Sequence, residues 1–279
     1  VARITELISY PVKGCAGVAL RDAAVTWAGL AHDRSFLVIS EDGVFRSQRR
    51  SPRLAVIRPE PEAGGERLTL RAPEAEPLRI EVAADGPRRA VEMFRKPYQG
   101  IDQGDAVAAW LSAVLGEPSR LVRVPPEHNR VTDGQTPGTS GFADSSALHL
   151  LSLPSLALLN ERLAARGCAP LPMARFRPNI VVDGWPDQDA EPHAEDRVRR
   201  IEAGGAEFGY AKLAIRCAVT TVEQRSGSRA GPEPLRTLAD YRRAAEGGVA
   251  FGAKFSVLRP GKVSVGDEAT VTAWGDSEF

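Results

Sequence analysis

The chain has 279 residues, and its 36 lysines and arginines are balanced by 36 aspartates and glutamates, so no net field draws it to nucleic acid or to an anionic membrane surface. Its apolar runs are only a few residues long, far short of the roughly 20 that span a bilayer, and no basic, apolar, small-residue leader opens it; the expectation is a soluble, cytoplasmic protein. Cys15, Cys168 and Cys217 lie far apart, which argues against a disulfide framework and a zinc knuckle and leaves each as core filler or as a working thiol.

Residues 1–100 read mostly as strands: Ile4 to Ile8, Ala23 to Thr26, Ser35 to Ile39, Leu68 to Arg71, Leu78 to Val82 and Ala90 to Phe94. Glu41-Asp42-Gly43 between two apolar runs predicts a hairpin turn that uses glycine's tolerance of positive φ. A first helix follows, with Asp102 or Asp105 as N-cap, Val107, Trp110, Leu111, Val114 and Leu115 on one face, and Gly116 as its stop. The proline-bearing stretch after it suggests a domain boundary near residue 120, and the polar segment from Thr132 to Thr139 reads as an exposed loop.

A second helix is predicted from Pro154, capped by Ser152, with Leu156, Leu159 and Leu163 at helical spacing up to Gly167. Strands resume at Asn179 to Val182, Val198 to Glu202, Lys212 to Ile215, Val219 to Val222, Phe255 to Leu258, Lys262 to Val265 and Ala269 to Trp274, with a third helix around Thr237 to Ala245. Two strand-rich regions with about three helices predict a mainly β (α+β) protein with two β-barrel-like domains, 1–120 and 121–279, and peripheral helices.

Cys217 lies in Ile215-Arg216-Cys217-Ala218-Val219-Thr220-Thr221-Val222, between two β-like runs and beside an arginine; thiolate is the form of cysteine that bonds metals, and the competing reading is a buried strand cysteine. In Arg175-Phe176-Arg177-Pro178-Asn179, two guanidinium forks at a strand entrance suit a phosphate or carboxylate, or are surface arginines. Tyr10-Pro11-Val12-Lys13-Gly14 offers a lysine in a loop open to an anion without the order of a Walker loop, and Arg34 in Gly29-Leu30-Ala31-His32-Asp33-Arg34 is a further anion contact. Phe142-Ala143-Asp144-Ser145-Ser146 places a carboxylate and two hydroxyls that cap a turn or bond a heterocycle. The four histidines lack metal-site spacing, and neither a dinucleotide fingerprint nor a nucleophile elbow is present.

Taken in order, these segments resemble MOSC proteins that carry the N-terminal MOSC β-barrel domain, relatives of the mitochondrial amidoxime-reducing component. The shared motifs are Tyr10 to Lys13, Gly29 to Arg34, Phe142 to Ser146, Arg175 to Ile180, Arg216-Cys217 with Thr220-Thr221-Val222, Glu233-Pro234-Leu235 through Tyr241-Arg242, and Val265-Gly266-Asp267. The resemblance implies an N-terminal MOSC barrel over 1–120, a MOSC domain over 121–279, and a bound molybdenum cofactor (Mo-molybdopterin). It makes Cys217 the ligand to molybdenum, Arg177 and Asn179 the grip on the pterin or its phosphate, and Lys13, Arg34, Arg175, Asp144, Ser145 and Ser146 the rest of a polar cradle, with Asp144 as a possible proton donor.

The implied reaction is the reduction of N-hydroxylated compounds such as amidoximes or hydroxylamines. No cysteine cluster could hold an iron-sulfur centre, so the electrons are expected from a separate ferredoxin- or haem-type donor with its reductase. Where the family often reads Thr-Val-Asp-Pro after its cysteine, this chain has Val222-Glu223-Gln224, which bears on substrate preference. Two rival readings use the same fold: a carrier of sulfur or of the molybdenum cofactor working through Cys217, and a binding protein without turnover.

Overall fold

The computed structural model describes residues 1–185 and 191–279. Seven strands close into a barrel in the order Ile180–Asp183, Leu148–Ser152, Val249–Arg259, Ala206–Arg216, Val198–Ala203, Glu268–Trp274 and Ala2–Ser9, the last pairing back to the first. All neighbours are antiparallel except Leu148–Ser152 and Ile180–Asp183, whose parallel register sets Leu150 opposite Ile180. A parallel pair needs a crossover, and helix Leu153–Ala165 supplies it. The mainly β expectation holds, with one βαβ unit set into the barrel.

The chain's first strand is the barrel's closing stave. Ala2–Ser9 pairs with Ile180–Asp183 on one edge and with Glu268–Trp274 on the other. Its inward Ala2, Ile4 and Leu7 join Leu150, Val182, Ile201, Phe208, Tyr210 and Phe255 in the barrel core. Elsewhere the first half forms a four-stranded sheet, in the order Phe36–Ile39, Arg120–Arg123, Lys96–Asp102 and Arg88–Met93, and a three-stranded sheet of Arg58–Pro61, Arg67–Ala72 and Ala75–Glu81. Helix Asp105–Leu115 lays Val107, Leu111 and Val114 onto Leu54, Leu68, Leu70 and Leu121.

Several local expectations change. Gly104 precedes the first helix as its N-cap, because Asp102 is drawn away: its carboxylate accepts from Gly104 N at 2.8 Å and from Arg120 Nε at 2.8 Å. The second helix starts as read, with the Ser152 hydroxyl accepting from Ser155 N. The third is one turn, Leu235–Leu238, because Arg242 is claimed by the barrel: its carbonyl accepts from Ala250 N at 2.9 Å and its Nε donates to Ala250 O at 3.2 Å. Lys96–Asp102 reads poorly as a strand because it contains Pro97 and Gly100, yet six register pairs with Arg88–Met93 fix it there.

Val219 to Val222, expected as a strand, is instead a tight 3-10 turn over Ala218–Thr221. The Thr220 hydroxyl donates to Cys217 O at 3.0 Å and the Thr221 hydroxyl to Ala218 O at 2.8 Å, so the threonines satisfy carbonyls that a ladder would otherwise take. Among the described residues no helix is long and apolar enough to cross a membrane.

Candidate cofactor site

Cys217 ends the strand Ala206–Arg216 and caps the turn that follows, so its partly exposed side chain meets a cleft of about 370 Å³ between the barrel and the first-half sheets. Lys13, Arg34, Asp144, Ser145, Ser146, Arg177 and Asn179 line the same cleft, so seven positions dispersed over the sequence meet at one thiol. The other cysteines lie elsewhere: Cys15 is fully buried, and burial pushes its thiol up to about 12, while Cys168 packs beside the second helix.

The cleft is basic. Eight lysines and arginines line it against Asp144 and Glu246, and four of them, Arg49, Arg177, Arg216 and Lys254, form no ion pair among the described residues. Lys13 is bound to Asp144. Desolvation raises the Asp144 carboxyl, but the Lys13 and Lys254 cations lower it and prevail, holding it well below the usual carboxylate range. Asp144 is thus held as a carboxylate beside Lys13.

Arg34 and Asn179 form one unit. The Asn179 side-chain oxygen accepts from Arg34 Nη1 at 2.9 Å and from His149 N at 3.2 Å, and its amide nitrogen donates to Ile8 O at 3.1 Å and to Asp33 Oδ1 at 3.0 Å. With 1% of its surface exposed and its side-chain amide engaged, Asn179 acts on the cleft by aiming Arg34. Asp33, also buried, fixes the same guanidinium at 2.6 Å and accepts from Tyr10 N at 2.8 Å. The Tyr10 ring carries both guanidiniums, Arg34, already paired with Asp33, at 4.3 Å from its centroid and Arg177, which has no ion pair among the described residues, at 4.2 Å.

Arg175 does not reach the cleft. Its buried Nε donates to Thr220 O at 2.8 Å and its Nη2 to Glu233 O at 3.4 Å, which pins the turn after Cys217. The sequence expectation that it joins the cofactor cradle is corrected to support of the cysteine turn from behind. The Asp144-Ser145-Ser146 loop is held by Arg130, whose guanidinium donates to Gly141 O at 3.1 Å, to Asp144 O at 2.7 Å and to Ala143 O.

Lys254 and Arg216 belong to the site although the sequence reading did not place them there. Lys254 projects from the apolar strand Val249–Arg259, and desolvation pulls its ammonium down to about 7 despite the opposing charge of Asp144. A lone lysine inside Ala250-Phe251-Gly252-Ala253-Lys254-Phe255 was the available signal, since a buried strand carries a charge only where one is used. Arg216 donates through Nη2 to Phe176 O at 2.7 Å, and its Nε has no partner.

The fit of an anionic heterocyclic cofactor rests on such unfilled capacity. Arg216 Nε and Ser146 Oγ are both buried without a hydrogen-bond partner, and both border the cleft with four unpaired cations. Among the described residues no cluster of three His, Cys, Asp or Glu side chains forms a metal site of its own.

The comparisons agree with this architecture. Residues 1–118 match the MOSC N-terminal beta barrel domain and residues 137–270 the MOSC domain. The chain is 32% identical to mitochondrial amidoxime-reducing component 1 of Homo sapiens, over 96% of this chain and 82% of that protein. It is 32% identical to mitochondrial amidoxime reducing component 2 of Rattus norvegicus over the same shares of the two chains, 96% and 82%. It is 30% identical to the molybdenum cofactor sulfurase of Danio rerio over 89% of this chain, but over only 31% of that longer protein. The chain belongs to the MOSC family, among the members that carry the N-terminal MOSC barrel domain.

Proposed function

We propose that this protein is a molybdenum-cofactor-dependent oxidoreductase that reduces N-hydroxylated compounds, amidoximes and hydroxylamines, with Cys217 as the protein ligand to the metal. The observation that carries the reading is a partly exposed thiol in a cleft with four unpaired cations and two orphaned polar atoms, in a chain similar along nearly its whole length to amidoxime-reducing components. When bound, the cofactor supplies the two-electron chemistry. The chain's residues bind, orient and deliver protons.

Arg177 and Arg34, stacked on Tyr10, hold the anionic part of the cofactor, and Asn179 and Asp33 keep Arg34 aimed at it. Ser146 Oγ and Arg216 Nε gain the partners they lack. Lys13, tied to Asp144, closes the cradle's edge. Removing oxygen as water consumes two protons, and Lys254 Nζ, with its pKa pulled down to about 7, is the cleft group suited to hand one over near neutral pH. Electrons come from a separate ferredoxin- or haem-type donor with its reductase.

The test is molybdenum per chain by elemental analysis, in wild type and Cys217→Ser made in a host that synthesises the cofactor, followed by turnover of benzamidoxime with a chemical reductant. Near-stoichiometric metal and turnover in the wild type, both lost in the variant, is the expected result; metal absent from both proteins overturns it. The likeness to a molybdenum cofactor sulfurase supports a second reading, a carrier of sulfur or of the cofactor through Cys217. Sulfane sulfur on Cys217, releasable by cyanide from protein without metal, would favour the carrier.

A further inference from the structure

A second cavity, of about 530 Å³, opens between the barrel and the first-half sheets and shares Arg177 with the cleft, but none of the cleft's other lining residues. We propose that it is a binding site for a small apolar carboxylic acid, an aryl or short-chain acid, distinct from the cofactor cleft.

The cavity exists because its walls are built from small side chains. Five alanines line it, from the exposed Ala19 at its mouth to the buried Ala55, and Ile8, Val56 and Met173 give the surface its apolar character. Its volume falls within the roughly 300–1,000 Å³ of small-molecule sites. Gly17 completes a flat wall: a Cβ there would stand 2.6 Å from Ile8 Cγ2 and 2.7 Å from Tyr10 Cε1.

Charge selects the ligand. Four arginines line the cavity against one carboxylate, Glu6. Arg71 is spent on Glu60, its Nε 2.9 Å from the carboxylate, but Arg58, Arg177 and Arg225 form no ion pair among the described residues. Arg177 is the decisive one: it is 9% exposed, and its hydrogen bond from Nη1 to Gln224 Oε1 is a long one at 3.3 Å. A guanidinium carries five N–H donors, so Arg177, which lines both spaces, can meet the cofactor on the cleft side and a carboxylate on the cavity side. Guanidinium forks match a carboxylate in two-point geometry, and the apolar walls require that the rest of the ligand be apolar. The lining provides no second ring of donors of the kind that a sugar or a nucleotide would need.

The test is titration calorimetry of the full chain, as purified, with 2-naphthoate as the probe and 2-naphthylmethanol as its neutral counterpart. Saturable one-to-one binding of the acid is expected, at least tenfold tighter than the alcohol. Arg58→Ala, at an exposed position, should weaken it about tenfold, the scale of one charge-assisted hydrogen bond. Ala19→Trp should abolish it by filling the cavity, and circular dichroism distinguishes a filled cavity from a misfolded chain. Lys254→Met, in the cleft, should leave it unchanged. Absence of saturable binding, equal affinity for the alcohol, or loss in Lys254→Met with retention in Ala19→Trp would each overturn the proposal. The titration is repeated on Cys217→Ser protein, so its outcome is independent of whether molybdenum is bound.

Discussion

The guanidinium of Arg177 stands 4.2 Å from the centroid of the Tyr10 ring, and Arg34 stacks on the same ring at 4.3 Å. Arg34 already has Asp33 as its counter-ion, so the electron-rich ring matters most for Arg177, each contact contributing roughly 0.5–2 kcal/mol. Tyr10→Leu, which keeps bulk but removes the ring, should lower retained molybdenum several-fold and reduce stability by about 1–3 kcal/mol, whereas Tyr10→Phe should retain both. Metal content after gel filtration, with chemical denaturation of each variant, reads the two effects separately.

Arg175 supports the cysteine from behind through Thr220 O. Replacing it with methionine keeps the stem and removes the donor, leaving a buried carbonyl unsatisfied at a cost of about 1–3 kcal/mol. The expected result is a lower denaturation midpoint together with a broadened molybdenum spectroscopic signal, because the 218–221 turn that aims Cys217 loosens. Unchanged stability would show that the turn stands without it.

Lys254 should give the site its pH dependence. Its pKa in the folded chain, about 7, lies below the 10.5 of an unfolded lysine, so between these values the unfolded chain binds the extra proton and stability of the cofactor-free protein rises with pH. The burden of the charged lysine is complete below pH 7 and is relieved as the pH climbs toward 10.5. Lys254→Met should therefore stabilise cofactor-free protein more at pH 6 than at pH 10. In the loaded enzyme it should slow turnover and flatten the alkaline fall in rate, measured as kcat against pH.

Asp196 and Arg242 are paired, with side chains 1% and 7% exposed. Burial and Glu195 raise the Asp196 carboxyl and Arg242 lowers it, leaving it at about 7. Arg242→Ala strands a buried acid and should cost about 3–5 kcal/mol in urea unfolding at pH 8, less at pH 5, where the carboxyl takes up a proton. The double change Asp196→Asn with Arg242→Met should recover part of the loss.

Much of the site was legible in the sequence because its parts are local motifs: the loop at Lys13, the turn at Arg34, the Asp144-Ser145-Ser146 segment and Arg177 all line the cleft with Cys217. Roles that depend on which way a side chain turns were not legible. Arg175 and Arg177 are two residues apart, yet one binds a turn and the other faces the ligand space, because a left-handed residue at Arg177, φ 58°, redirects the chain between them. Asn179 reads as a ligand-binding amide until its partners across the barrel seam are counted. The third helix, expected around Thr237 to Ala245, is only Leu235–Leu238, because the local sequence says nothing of the Asp196 carboxylate, 46 residues away, that claims Arg242.

The closing stave has a consequence for how this protein is made. Ala2–Ser9 is synthesised before the edges it fills, Ile180–Asp183 and Glu268–Trp274, which follow about 170 to 270 residues later, at ribosomal speed on the order of ten seconds or more. Through that interval Leu7 to Ser9 can already pair with Val18–Leu20, but the rest of this apolar strand must wait for its neighbours, exposed to chaperones and to other nascent chains. A fusion or cut near residue 2 would trouble the folding of the far end of the chain before it troubled its own.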